Sequence, residues 1–186
     1  SAELVHEGDP DPDLVNAELA EGDAEVAPPM PPAEERNFTD LGNSRMLVHL
    51  EGRNLRWCGA MPGTGWMVWD RARWASDDQK RVTQSATRVA DAWRDLAPPE
   101  ATDLVLSLEE QQAQERRAMI FKHAMKCEGV ASIRAMVELA ASHPEIVVPR
   151  TVFDADKYVL NALNATVDLR RGSARPHRRT DLLTRM

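Results

Sequence analysis

The first 35 residues carry eleven Asp and Glu and not one Lys or Arg. That segregation of charge confines the foldable part of this 186-residue chain to the residues beyond them. Bulky apolar side chains are sparse in the opening stretch, and Pro28-Pro29 and Met30-Pro31-Pro32 favour extended polyproline geometry. Such a segment buries too little surface to offset the entropy of ordering it. Residues 1–35 are therefore expected to be a disordered, acidic, Pro-rich linker, with a short helix near Pro12–Glu21 as its one candidate element. The remainder holds 23 Lys and Arg against 19 Asp and Glu, a net of +4. The overall charge of −7 comes from the linker and says little about the partner of the folded part.

Residues 36–186 are enough for one domain with a real core. Cys58 and Cys127, the two cysteines, are too few for a disulfide framework and sit in no zinc-binding spacing, which fits a reducing cytosol. No apolar run approaches the roughly 18–20 residues that span a bilayer. Ser1-Ala2 reads as the remnant of a cleaved tag, and the ending at Met186 as a trimmed piece of a longer protein.

The pattern from Arg36 onward predicts an α+β fold, mainly a helical bundle, with a small Trp-rich antiparallel meander near its start and β-hairpins at its C-terminal end. Thr39 or Asp40 caps a helix to about Leu50, with Leu41, Met46, Leu47 and Leu50 on its apolar side and Gly52 as its stop. Asn54–Cys58, Gly65–Asp70 and Arg73–Trp74 are strand candidates, and four of the five Trp lie there. Ser76 with Gln79 reads as a capping box before a helix whose face is Val82, Ala86, Val89, Trp93 and Leu96, ended by Pro98-Pro99. Ser107 with Glu110 repeats that box before a long helix to about Glu128, with a stripe of Ala113, Ala118, Phe121, Ala124 and Met125. After Gly129, Val130, Ile133, Val137 and Ala140 mark another helix, closed by Ser142-His143-Pro144. Tyr158–Asn161, Thr166–Leu169 and Ser173–Pro176 then read as short strands joined by turns at Leu163-Asn164-Ala165 and Arg170–Gly172.

The motifs of known enzymes are nearly missing. A P-loop needs glycines and a Lys at fixed spacing, because backbone amides and the ammonium together hold the phosphates. The run from Gly59 to Gly65 lacks that Lys and reads as a hairpin connection. The five histidines are scattered. Asp154 and Asp156 resemble a paired-carboxylate metal site, although acids before a strand more often cap a turn. Trp69 and Trp74 could stack bases, but a tiny sheet needs large side chains to anchor it, and the core reading is preferred. The best binding candidates are cations: Arg170, Arg171, Arg175, His177, Arg178 and Arg179, with Lys122, Lys126 and Arg134 on the helices as further ones. Residues 168–186 hold six Arg against two Asp. Arg forks onto phosphate oxygens, so DNA contact is one reading of the run; interface ion pairs and plain solvation are the others.

Several segments together resemble a known family. Asn37-Phe38-Thr39-Asp40-Leu41-Gly42-Asn43-Ser44-Arg45, Leu55-Arg56-Trp57, Gly65-Trp66-Met67-Val68-Trp69-Asp70, Arg73-Trp74, Ser132–Ala141 and Phe153–His177 are similar, in order and spacing, to the N-terminal accessory domain of phage and plasmid primase–helicases, related to the poxvirus-type primase–helicase. Two positions depart: the closing hairpin has Asn164-Ala165 where Asn-Gly is usual, and Arg71 stands where a Gly is common. The resemblance implies a non-catalytic domain directly before a superfamily 3 helicase motor, organising the helicase ring, with its own helicase and primase domains as partners, homo-oligomerisation in the full-length protein, DNA contact and no membrane. It implies no cofactor in these residues, ATP and Mg²⁺ for the motor, and the bacterial host cytoplasm as location. A nucleotide- or metal-binding enzyme domain, using Asp154 and Asp156, and a phage structural or scaffold protein are the alternatives.

Overall fold

Thr39 starts the first helix by accepting the Gly42 N–H on its side-chain oxygen at 3.0 Å, which satisfies one of the donors a helix leaves open at its N-terminus. The computed structural model describes residues 37–102 and 105–186; the acidic linker and the short helix expected near Pro12–Glu21 lie outside them. The helices are α1 (Asp40–Glu51), α2 (Arg81–Asp95), α3 (Leu108–Cys127) and α4 (Val130–Ala140). The strands are β1 (Leu55–Trp57), β2 (Trp66–Trp69), β3 (Trp74–Ser76), β4 (Val159–Asn161), β5 (Thr166–Asp168) and β6 (Ser173–Arg175). They form two three-stranded antiparallel sheets, β1-β2-β3 and β4-β5-β6, so the expected α+β class holds. By packing, the chain divides into a helical unit, which among described residues holds 37–68 and 75–150, and a second unit of 69–74 and 151–186.

In the helical unit α1 packs mainly on α4, and α2 on α3. The predicted face of α2 is the real one: Val82, Ala86, Val89 and Trp93 are all buried. β1 pairs with β2 in the register Leu55↔Val68, Arg56↔Met67 and Trp57↔Trp66, and Trp57 also bonds to Ile146 and Val148 after α4. Gly42 permits the opening turn, because a Cβ there would lie 2.0 Å from the Asn37 carbonyl oxygen. Trp66, Trp69, Trp74 and Trp93 are buried, as the core reading of the tryptophans requires.

Three sequence expectations need correction. The Ser76–Gln79 box does not form; Lys80 adopts a left-handed conformation (φ 56°), and the Asp77 carboxylate accepts the Arg81 and Val82 N–H groups at 2.7 and 3.1 Å. One carboxylate satisfies two open donors where a Ser hydroxyl satisfies one, and Ser76 turns to the Pro62 carbonyl instead. On α3, Ala118 and Met125 are exposed, and the buried stripe is Ile120, His123, Ala124 and Cys127. On α1 and α4, Leu41 and Val130 face solvent rather than the core. The Ser107–Glu110 capping box, by contrast, forms in full.

The α3 stripe includes a His because its ring nitrogen is satisfied. Asn43 Oδ1, 1% exposed as a residue, lies 2.9 Å from Trp93 Nε1 and 2.9 Å from His123 Nε2. Indole N–H can only donate, so it is the Asn43 oxygen that faces both rings, and His123 Nε2 must carry its proton. Cys127 Sγ lies 3.4 Å from the same nitrogen. The Trp93 and His123 rings meet edge to face at 5.0 Å, and Phe38 leans on both. Three helices thus converge on one amide.

In the second unit, Trp69 and Trp74 rings meet at 5.9 Å across a turn in which Asp70 accepts the Ala72 and Arg73 N–H groups. Arg71 there has φ 80°, the left-handed region that explains why glycine is common at this place in the resemblance. At the other departure the outcome is opposite: Leu163, Asn164 and Ala165 all have negative φ, so Asn164-Ala165 closes the hairpin without a left-handed residue. The register is Val159↔Asp168↔Ser173, Leu160↔Val167↔Ala174 and Asn161↔Thr166↔Arg175. Residues 179–184 are bonded into the unit: Trp74 donates its backbone N–H to Leu183 O and its indole N–H to Arg179 O, and Asp154 accepts both the N–H and the hydroxyl of Thr184.

The Asn43 cluster leads to two expected outcomes. Asn43→Ala strands two buried N–H donors and is expected to cost about 2–4 kcal/mol in urea unfolding, since each orphaned donor costs roughly 1–3 kcal/mol; a loss below about 1 kcal/mol would contradict the geometry. Burial, then the nearby Lys126 charge, pushes the His123 imidazole down, and burial pushes the Cys127 thiol up to about 11. A His that resists protonation when folded forfeits stability once its unfolded form takes up a proton, from about pH 6.5 downward; the thiol forfeits stability above pH 9.0, where only its unfolded form ionises. The thermal midpoint is expected to peak between these limits, and His123→Gln to flatten the acid limb. An acid limb unchanged by that substitution would show that His123 does not set it.

Candidate nucleic-acid interface

The turn after β5 is set by Asp168, whose carboxylate accepts the Arg170 N–H and whose carbonyl accepts that of Gly172. It points Arg170 back along the sheet. Both Arg170 terminal nitrogens donate to Asp156, at 2.9 and 3.0 Å, and the guanidinium lies 4.3 Å from the Tyr158 ring centroid. The fork raises the Arg170 pKa, and the same bonds, with the Tyr158 N–H, hold the Asp156 carboxyl below its usual range. Both groups are solvent-exposed, so the pair adds little to stability.

Arg175 makes a second fork, on Asp181, with both distances 2.7 Å; its partner is 14% exposed and its pKa is raised by these bonds. His177 follows β6 and bonds to residues of the sheet. Its Nδ1 lies 2.8 Å from Asn161 Oδ1 and 3.1 Å from the Thr166 hydroxyl. Asn161 spends its amide N–H on the Ala72 carbonyl, so its oxygen must accept and His177 Nδ1 donates. Arg179 lends its carbonyl to Trp74 and is half-buried. Arg171, with 81% of its side chain exposed and its Nε 3.9 Å from Asp168, and Arg178, also exposed, face outward. Lys122, Lys126 and Arg134 are exposed on α3 and α4 of the helical unit.

Sequence reasoning finds the cations and misses their partners. Asp156 and Asp181 lie 14 and 6 residues from the Arg they hold, spacings with no local signature. Asp154, the other half of the carboxylate pair, is committed to Thr184. Among the described residues no group of three or more His, Cys, Asp or Glu is placed to hold a metal ion, and no helix is long and apolar enough to cross a membrane. A cavity of about 390 Å³ in the helical unit is lined by Arg45, Val48, His49, His143 and Glu145, and His143 Nδ1 accepts the Glu145 N–H at 3.3 Å.

These features define an α+β module that carries many cations on a small C-terminal sheet and holds two of them in carboxylate forks. Comparison with family models narrows the class. The model described as D5 N terminal like matches residues 44–186, most of the chain, and the protein belongs to that family. The family is associated with primase–helicases, and the domain is of the type found at the N-terminus of such proteins. No curated protein and no solved structure matches the chain.

Proposed function

We propose that this domain is the non-catalytic accessory module of a phage or plasmid primase–helicase that works in DNA replication. In this reading it precedes a superfamily 3 motor, which binds ATP and Mg²⁺, and it helps to organise the motor's ring. Its partners are the protein's own helicase and primase domains and further copies of the same chain, in the bacterial host cytoplasm. The observation that carries the reading is the family match across residues 44–186.

DNA contact is assigned here to the outward cations of the second unit. Arg171 and Arg178 are exposed and face solvent, whereas Arg175 and Arg170 are already forked onto carboxylates. Phosphate binding by such groups releases counterions, and the affinity for single strands falls with salt by about 0.7 log units per phosphate neutralised. Fluorescence anisotropy with a single-stranded oligonucleotide is expected to show weak, salt-sensitive binding. Arg171→Ala with Arg178→Ala should lower the slope of log affinity against log salt by about 1.4. A slope unchanged by the pair would take the C-terminal cations out of DNA contact.

A further inference from the structure

The sheet β4-β5-β6 is patterned inside out. Its inner face carries Asn161, Thr166 and Arg175 in one row, with Thr166 only 1% exposed. Its outer face carries the ladder Leu160, Val167 and Ala174, extended by Tyr158 and Leu169, which pair through the Leu169 N–H and Tyr158 carbonyl. Tyr158, Leu160 and Leu169 are 53%, 52% and 51% exposed. Half-covered antiparallel sheets ordinarily turn the apolar row inward, so an apolar outer row marks a surface that something else covers.

Beside β4, the edge strand, lies a cavity of about 300 Å³ lined by Val159, Leu160, Leu183 and Met186 together with Lys157 and Arg185. Asp154 and Asp156 also line it, but they are engaged by Thr184 and Arg170. The cations that line the cavity are Lys157 and Arg185. The occupant must be apolar enough for the ladder and acidic enough for these cations. DNA fits poorly: the centre of the ladder offers no phosphate donor, and the Arg170 guanidinium already covers the one aromatic ring. A second copy related by a two-fold would bring like charges together.

One segment of this chain has the required chemistry. Residues 12–26 hold Leu14, Val15, Leu19 and Val26 among five acids and no Lys or Arg. We propose that the outer face of this sheet and the cavity beside β4 are a docking surface for residues 12–26, the apolar side chains covering Leu160 and Val167 and the carboxylates meeting Lys157 and Arg185. Docking of this kind combines apolar burial with a salt-sensitive electrostatic part.

The test uses the full chain. Gly22→Cys takes a nitroxide label selectively, because Cys58 and Cys127 are 2% and 1% exposed. Methyl spectra at low salt are expected to show Leu160 and Val167 signals reduced by more than half, while Leu47 and Val89 in the helical core keep theirs. Leu14→Ser with Leu19→Ser, or 0.5 M salt, should restore them. Equal intensities on ladder and core would overturn the proposal. So would a loss that the Leu14→Ser, Leu19→Ser pair leaves in place. Perturbation of the ladder in the unlabelled chain only on adding a single-stranded oligonucleotide, or only with rising protein concentration, would give the face to DNA or to a second copy and overturn it equally.

Discussion

The side-chain oxygen of Asn43 is the point on which the helical unit turns. It accepts from Trp93 on α2 and His123 on α3, and it sits on α1, so one buried amide joins three helices that apolar packing alone would allow to slide. The constraint reaches outward. Gly42 must lack a Cβ so that the chain entering α1 can pass close, and Phe38 in that entering segment lies against the Trp93 and His123 rings. The stretch from Asn37 to Arg45, which stands out in the sequence as a motif, is therefore in large part a folding element: Thr39 caps α1, Ser44 bonds the Leu41 carbonyl, and Gly42 and Asn43 serve the packing around one acceptor.

The second unit is held by a different principle. It has few buried apolar residues, among them Trp69, Trp74, Phe153 and Leu183, and it makes up the deficit with polar bonds from the last residues of the chain. Leu182 and Leu183 give their carbonyls to Asp154 and Trp74, and Thr184 is bound twice by Asp154. The segment 179–184 is thus fixed within its unit rather than trailing from it.

Much of this is legible in the sequence because local chemistry repeats. Ser107 and Glu110 announce α3, the four- and three-residue steps of α2 give its buried face, and the strands lie within a residue or two of their predicted bounds. The failures have two causes, partners distant in the sequence and local competition for one helix cap. In the sequence His123 is one scattered polar residue among five histidines, and its burial depends on an acceptor 80 positions away. The α3 stripe is misplaced for the same reason. Asp77 displaces Ser76 as the cap because a carboxylate serves two donors, a competition that a motif of two residues does not express. The basic run reads as one surface, but the fold sorts it: Arg170 and Arg175 into forks, His177 into the sheet, Arg171 and Arg178 outward. Arg71 shows the converse, a departure from the usual glycine that the fold tolerates in a left-handed turn.

The family match associates the domain with primase–helicases, while Asp156, Asp181 and the Arg residues they hold are engaged within the domain itself. On the proposed reading these residues form an adaptor, and the nucleotide chemistry belongs to the motor. Titration calorimetry of the chain with ATP and Mg²⁺ probes that division of labour without intermediaries. No heat beyond dilution is expected at millimolar nucleotide. A saturable isotherm with one site per chain would contradict the division and give the domain a nucleotide pocket of its own.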